Sequence, residues 1–330
     1  MSRRPETNRF SGRSEPLIGT VNIKPGAIYG RASRGASSAP REQPRDSANE
    51  PMLVPIDDAR LGQALDLLER GFPRRTRRDW EDGIERARAF NPAANSIGHL
   101  LVTKSKPCGV LLTLQGQSVP SDGAPFKVTN LSSWYVEPER RMLAPFMLRD
   151  IVREPGTVFT DLTPSDRILP MLPAFGFKPL NRGISAVTLP VAAMTATPQA
   201  RVYDLANVPK NALQPAVFAM LERHAQHGAI AGVLSVGEAW HPLLFLPRLL
   251  RCLPMAQLIY CASNSTLVEN LGAVARFLLK RGKVVLLLDI PRQGDVPGTH
   301  FLNRGMKFAK GGCFEGRTDY AGSELLFFKM

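Results

Sequence analysis

Apolar residues at Leu61, Ala64, Leu65 and Leu68 recur at the spacing of one helix face. They predict a helix that opens the folded part of the chain. A second helix is expected over 79–89. Residues 98–103 and 109–115 read as strands joined by a Lys-Pro turn, which makes a hairpin. A further strand is expected over 126–136. Leu143, Phe146, Met147 and Ile151 then mark another helical face. A short strand over 157–162, a short helix over 166–175 closed by Gly176, and a strand over 184–189 complete this stretch. An antiparallel hairpin followed by a strand-helix-strand crossover predicts an α/β (or α+β) fold with a mixed sheet.

The later pattern repeats. Strands are expected over 243–247, 257–262 and 284–290, with a helix marked by Leu267, Leu271, Val274 and Leu278 and a last strand over 325–328. Thr160-Asp161-Leu162 is answered by Leu288-Asp289-Ile290, and Gly176-Phe177-Lys178 by Gly305-Met306-Lys307. Both echoes lie about 130 residues apart, the mark of two similar units. The units are expected over 51–190 and 213–330. Residues 191–212, with Pro198 and Pro209, read as a linker.

Composition changes the picture in three places. Residues 1–50 are rich in Arg, Ser, Pro and Gly, and read as a disordered basic tail. The net charge of +13 invites an acidic partner. The densest basic cluster, Arg74-Arg75 with Arg77-Arg78, has no interleaved aromatics, which argues against nucleic acid and suits a solvated surface equally well. No apolar run is long enough for a membrane span, and the start of the chain lacks a secretory core. Cys108, Cys252, Cys261 and Cys313 lack metal-ligand spacing and read as reduced thiols of a cytoplasmic protein. The five histidines form no metal constellation either. His224 and His227 share a helix face without a carboxylate or thiol companion. No metal is expected.

The candidate chemistry gathers at 132–144. A strand ending at Val136 meets a turn carrying Arg140 and Arg141, and a helix follows. A helix N-terminus presents free N–H groups and partial positive charge, and the arginines add formal charge, which suits a diphosphate. Val136-Glu137-Pro138-Glu139, then Arg141-Met142-Leu143-Ala144, and later Phe175-Gly176-Phe177 resemble the GNAT superfamily of acyl-CoA-dependent N-acetyltransferases. The resemblance spans roughly 53–190, with a weaker copy over 213–330. It implies a tandem acyl-CoA N-acyltransferase fold with a degenerate second copy. The co-substrate it implies is acetyl-CoA or another acyl-CoA. Ser133, Trp134, Tyr135 and Val136 would lie along the pantetheine arm, and Arg140, Arg141, Met142, Leu143 and Ala144 at the phosphates. Met142 and Ala144 stand where the family carries glycines, and Pro145 removes one amide donor.

Asp161, at the end of the crossover strand, is the candidate general base; Asp-Leu-Thr-Pro equally suits a helix cap. The late helix lacks the tyrosine that relatives use as an acid. In the second copy Thr266 and Glu269 form a capping box, and no arginine pair precedes the helix, which suits a structural or acceptor-shaping role. The resemblance implies acyl transfer from acyl-CoA to an amine or hydroxyl acceptor. An inactive binding or scaffold protein on the same fold is the alternative. A tRNA-dependent aminoacyl transferase, as in peptidoglycan-bridge enzymes, ranks last.

Overall fold

The computed structural model describes residues 50–94, 96–120, 124–290, 299–312 and 314–328. The basic tail and Cys313 lie outside these residues. Strand β1 (Met52–Pro55) leads into α1 (Leu61–Gly71) and α2 (Arg77–Phe90). Helix α1 buries Ala64, Leu65, Leu67 and Leu68 on one face. Helix α2 starts at a reciprocal cap in which the Asp79 N–H donates to the Thr76 hydroxyl and the Thr76 N–H to the Asp79 carboxylate. Such a cap stabilises by about 1 kcal/mol. Strands β2 (Gly98–Thr103) and β3 (Lys106–Ser118) form the expected hairpin. Its turn is Lys104-Ser105, both with positive φ, as a two-residue hairpin loop requires. Pro107 therefore sits inside β3 and not in the turn.

Strand β4 (Phe126–Val136) is followed by a 3₁₀ helix (Pro138–Leu143), α3 (Ala144–Ile151) and β5 (Thr157–Asp161). Of the helix expected over 166–175, only a 3₁₀ turn (Leu172–Phe175) forms. Pro170 and Pro173 lack the N–H groups an α-helix would use there. Gly176 ends that turn in the left-handed region, φ 84°. Next come β6 (Lys178–Pro179), β7 (Gly183–Thr188), α4 (Leu189–Ala192), β8 (Ala200–Tyr203), α5 (Pro215–Gln226), β9 (Ile230–Val236), β10 (Ala239–Leu250) and β11 (Leu253–Cys261). The chain ends with α6 (Asn264–Glu269), α7 (Leu271–Leu279), β12 (Val285–Ile290), β13 (His300–Leu302), β14 (Phe308–Lys310), β15 (Thr318–Asp319) and α8 (Glu324–Phe327). The residues expected to form a last strand are thus helical. Helix α6 is capped by Ser263, whose hydroxyl accepts from the Thr266 N–H, not by Thr266.

Two mixed sheets result. The first runs β1-β2-β3-β4-β5-β14-β6, and the second β13-β7-β12-β11-β10-β9-β8, with β15 added to β11. Each contains a parallel pair, β4 with β5 and β11 with β12. Each sheet also borrows a strand. The late strand β14 pairs with β5 (Phe308 opposite Asp161), while the early strand β7 pairs with β12 (Thr188 opposite Val285). Strand β8, within the stretch expected to be a linker, forms an edge of the second sheet beside β9.

Helices α1 and α2 cover one face of the first sheet and α3 the other. Helix α7 covers one face of the second sheet, and α5 packs with the chain's last residues on the other. Those last residues bind to both sheets. The Ser118 hydroxyl donates to the Asp319 carboxylate, and the Glu324 N–H donates to Asn130 Oδ1 at 2.9 Å. The Tyr260 hydroxyl donates to the Val119 carbonyl at 2.8 Å. Gly322 N–H donates to His224 Nε2 at 3.0 Å, while His224 Nδ1 lies 2.7 Å from the Met220 carbonyl. His224 is therefore a structural group, neutral and protonated on Nδ1.

Candidate active site

Parallel pairing of β4 with β5 begins at Lys127 opposite Thr157 and stops at Leu131 opposite Asp161. Strand β4 continues to Val136 with a ladder on its β3 side only. That ladder is itself interrupted. Ser132 faces Leu112 and Tyr135 faces Val110, so Ser133 and Trp134 together oppose Leu111. This is a β-bulge, and Ser133 takes the extra residue's strain with φ 54°. Strand β5 ends at Asp161, so beyond Leu131 the β5 side of β4 has no ladder partner.

The opening holds a cavity of about 160 Å³. Its walls include Phe72, Trp80, Ser132, Ser133, Trp134, Asp161 and Glu324. The indole N–H groups of Trp80 and Trp134 are buried there without a hydrogen-bond partner among the described residues. A buried Trp N–H ordinarily finds an acceptor. Arg75 lies at the rim, its guanidinium 4.7 Å from the Trp80 ring centre, and burial lowers its pKa.

Two carboxyls share the site. Burial, then the charge of Glu324, raises Asp161 to about 8, against a smaller lowering by the Thr163 N–H. Burial likewise raises Glu324, although hydrogen bonds from Ser132 and Thr163 hold it down. The Thr163 hydroxyl donates to Glu324 Oε1 at 2.6 Å. The pair therefore keeps a proton near neutral pH and can exchange it with a group in the cavity. Glu324 escaped the sequence reading because its neighbours, Leu325 to Phe328, look like a buried strand. An acidic residue heading an apolar run was the one available signal.

The other anticipated residues are spread over the surroundings. Tyr135 packs against Gly71 of α1, where a Cβ would lie 2.5 Å from its ring. Val136 is buried under α3, with Leu143 and Ala144 beside it. Arg140 and Arg141 are exposed and form no ion pair among the described residues. Met142 is 84% exposed, so it leaves the opening clear. The turn itself is helical: the Arg140 N–H donates to the Glu137 carbonyl and the Ala144 N–H to the Arg141 carbonyl. Those two amides are thus engaged within the 3₁₀ helix. Glu137 is tied to Arg70 of α1 at 2.6 Å.

The second sheet is arranged differently at the corresponding place. Strands β11 and β12 pair only from Met255 to Gln257, and β15 then lies against Tyr260 and Cys261. Asp289, the echo of Asp161, is bound to Lys307 at 2.9 Å with both side chains buried. Among the described residues no cluster of His, Cys, Asp and Glu could hold a metal, and no helix is long and apolar enough to cross a membrane.

No protein-family model matches the chain, and no curated protein matches it. Solved structures do. A GCN5-related N-acetyltransferase from Anabaena variabilis superposes with a TM-score of 0.50 at 12% identity, over 79% of this chain and 72% of the other. A probable N-acyltransferase from Enterococcus faecalis gives a TM-score of 0.50 at 10% identity, again over 79% and 72%. The chain has a GNAT-like fold in tandem form.

Proposed function

We propose that the protein transfers an acyl group from acyl-CoA to an amine, with a hydroxyl as the alternative acceptor, at the opening between β4 and β5. The observation that carries this reading is the end of β4–β5 pairing at Leu131, next to the bulge at Ser133. Freed backbone groups of Ser133 to Val136 suit the amides of a pantetheine arm, and the cavity suits a thioester with a short acyl group. Arg140 and Arg141 offer charge to the diphosphate from the surface. The acceptor nitrogen attacks the thioester carbonyl, the C–S bond breaks, and the thiolate leaves as CoA. Asp161, coupled to Glu324, takes the proton from the nitrogen in its ionised form, which grows as pH rises toward about 8. The second unit, with β15 laid along β11 and Asp289 bound to Lys307, serves as structure.

One observation favours a second reading, a binding protein without turnover: the helical phosphate turn spends amides of Arg140 and Ala144 on itself. Thermal unfolding with acetyl-CoA separates the possibilities. A ligand present at a hundred times its Kd stabilises by about 2.7 kcal/mol. Under the enzyme reading the melting point rises and CoA thiol is released when amines are added. A rise without thiol release selects the binding protein. No rise at millimolar acetyl-CoA refutes acyl transfer and selects the inactive scaffold. An R140E/R141E chain should lose the rise while melting as the parent does in the absence of ligand.

A further inference from the structure

The hairpin joining β10 to β11 ends the second sheet in an unusual tip. Its turn is Arg251-Cys252, both with positive φ. Leu249, Leu250 and Leu253 flank it at 73%, 51% and 42% exposure. Leu250 opposes Leu253 across the ladder, and Leu249 opposes Pro254. Neighbouring residues on one strand face opposite sides, so leucines protrude from both faces of the tip.

The same end of the sheet is basic. Val284 N–H donates to the Pro254 carbonyl at 2.9 Å, and Leu189 N–H to the Val284 carbonyl at 3.0 Å. These bonds set the end of α7, with exposed Lys280 and half-exposed Lys283, beside the hairpin. They also bring in the start of α4, followed by Val191 and Met194 at 64% and 86% exposure. Arg251, Lys280 and Lys283 form no ion pair among the described residues. The one acid nearby that is engaged, Asp204, is bound to Arg281.

We propose that this end of the second sheet docks on an anionic lipid surface. Exposed leucines beside unpaired cations match the two layers of such a surface, apolar chains under negatively charged headgroups. Charge complementarity decides among occupants. A second copy in a two-fold contact would set Arg251, Lys280 and Lys283 against the same residues of its partner. A nucleic acid would use the cations and leave the leucines in water. A net charge of +13 acts in the same sense as the local cations.

The test is cosedimentation of the full chain with vesicles of phosphatidylcholine alone and of phosphatidylcholine with one-third phosphatidylserine. Binding to the serine-containing vesicles alone, weakened by added salt, is expected. Each neutralised cation should weaken it about fivefold, so K280Q/K283Q loses about twenty-five-fold. L249S/L250S should lose tenfold or more while melting like the parent chain. Equal sedimentation with both vesicle types overturns the proposal. So does parental binding by either variant, which would assign the interaction to another surface such as the basic tail. A dimer in solution that L249S/L250S dissociates also overturns it, in favour of a second copy.

Discussion

Exchanging Asp161 for Asn keeps the shape of the buried group and removes its charge. The carboxyl is held at about 8, above its ordinary 3.8, by burial first and by Glu324 second. Between those values the folded protein keeps a proton that the unfolded chain has released. The stability this group confers is complete below pH 3.8 and is lost as pH rises to about 8, at about 1.4 kcal/mol per pH unit. From pH 6 to pH 8 the wild-type chain should lose about 2 kcal/mol through this site, and D161N should not. Urea unfolding followed by circular dichroism at pH 6, 7, 8 and 9 reads the difference. D161N should gain on the wild type up to pH 8 and then run parallel to it. Identical pH slopes for the two chains between pH 6 and 8 would show that the carboxyl ionises freely, and the shielded pair would have to be abandoned. Acyl transfer by D161N should fall by a factor of about a hundred or more at every pH.

Three further outcomes follow from buried groups. Burial depresses His224 to about 4 from 6.5, so the unfolded chain binds a proton first on acidification. About 3 kcal/mol should be lost through it between pH 6.5 and 4, and H224Q should flatten that part of the denaturation profile. D289A strands the Lys307 ammonium in the interior and should cost about 3–5 kcal/mol by urea unfolding, whereas D289L/K307M should come close to the wild type. G83A places a Cβ 2.3 Å from the Phe328 ring, which packs on Trp80. It should lower stability by about 1–3 kcal/mol and weaken acetyl-CoA binding through the displaced cavity wall.

Local pattern reached some of this architecture and not the rest. Strands β2 and β4 were legible to the residue because their alternation is bounded by clear turn signals. The helices over α1 and α3 were legible from a single apolar stripe each. Strand β9 was missed: Gly228, Ala229 and Gly232 dilute the apolar run that would announce it. The shared strands β7 and β14 were not legible in their partners, since pairing across such separations leaves no periodic trace. The residues of β7 read as extended, but beside the wrong neighbours, and β14 was not read as a strand at all. At the site, Asp161 was singled out because it ends a crossover strand. Glu324 was hidden because its role comes from the tertiary return of the chain's end to β4. The arginine pair was visible, yet the shape of its turn depended on Pro138 starting a helix early.

The borrowed strands set the order in which this molecule can be completed. As the ribosome releases the chain, β5 emerges long before β14, and its outer edge has no partner until residues 308–310 arrive. During that interval the nascent first half carries a bare edge beside its incipient site, open to the same strand from a neighbouring chain. An isolated first half, cut after residue 190, would keep that edge for good. It should associate or aggregate when expressed alone and regain solubility when the remainder is supplied in trans.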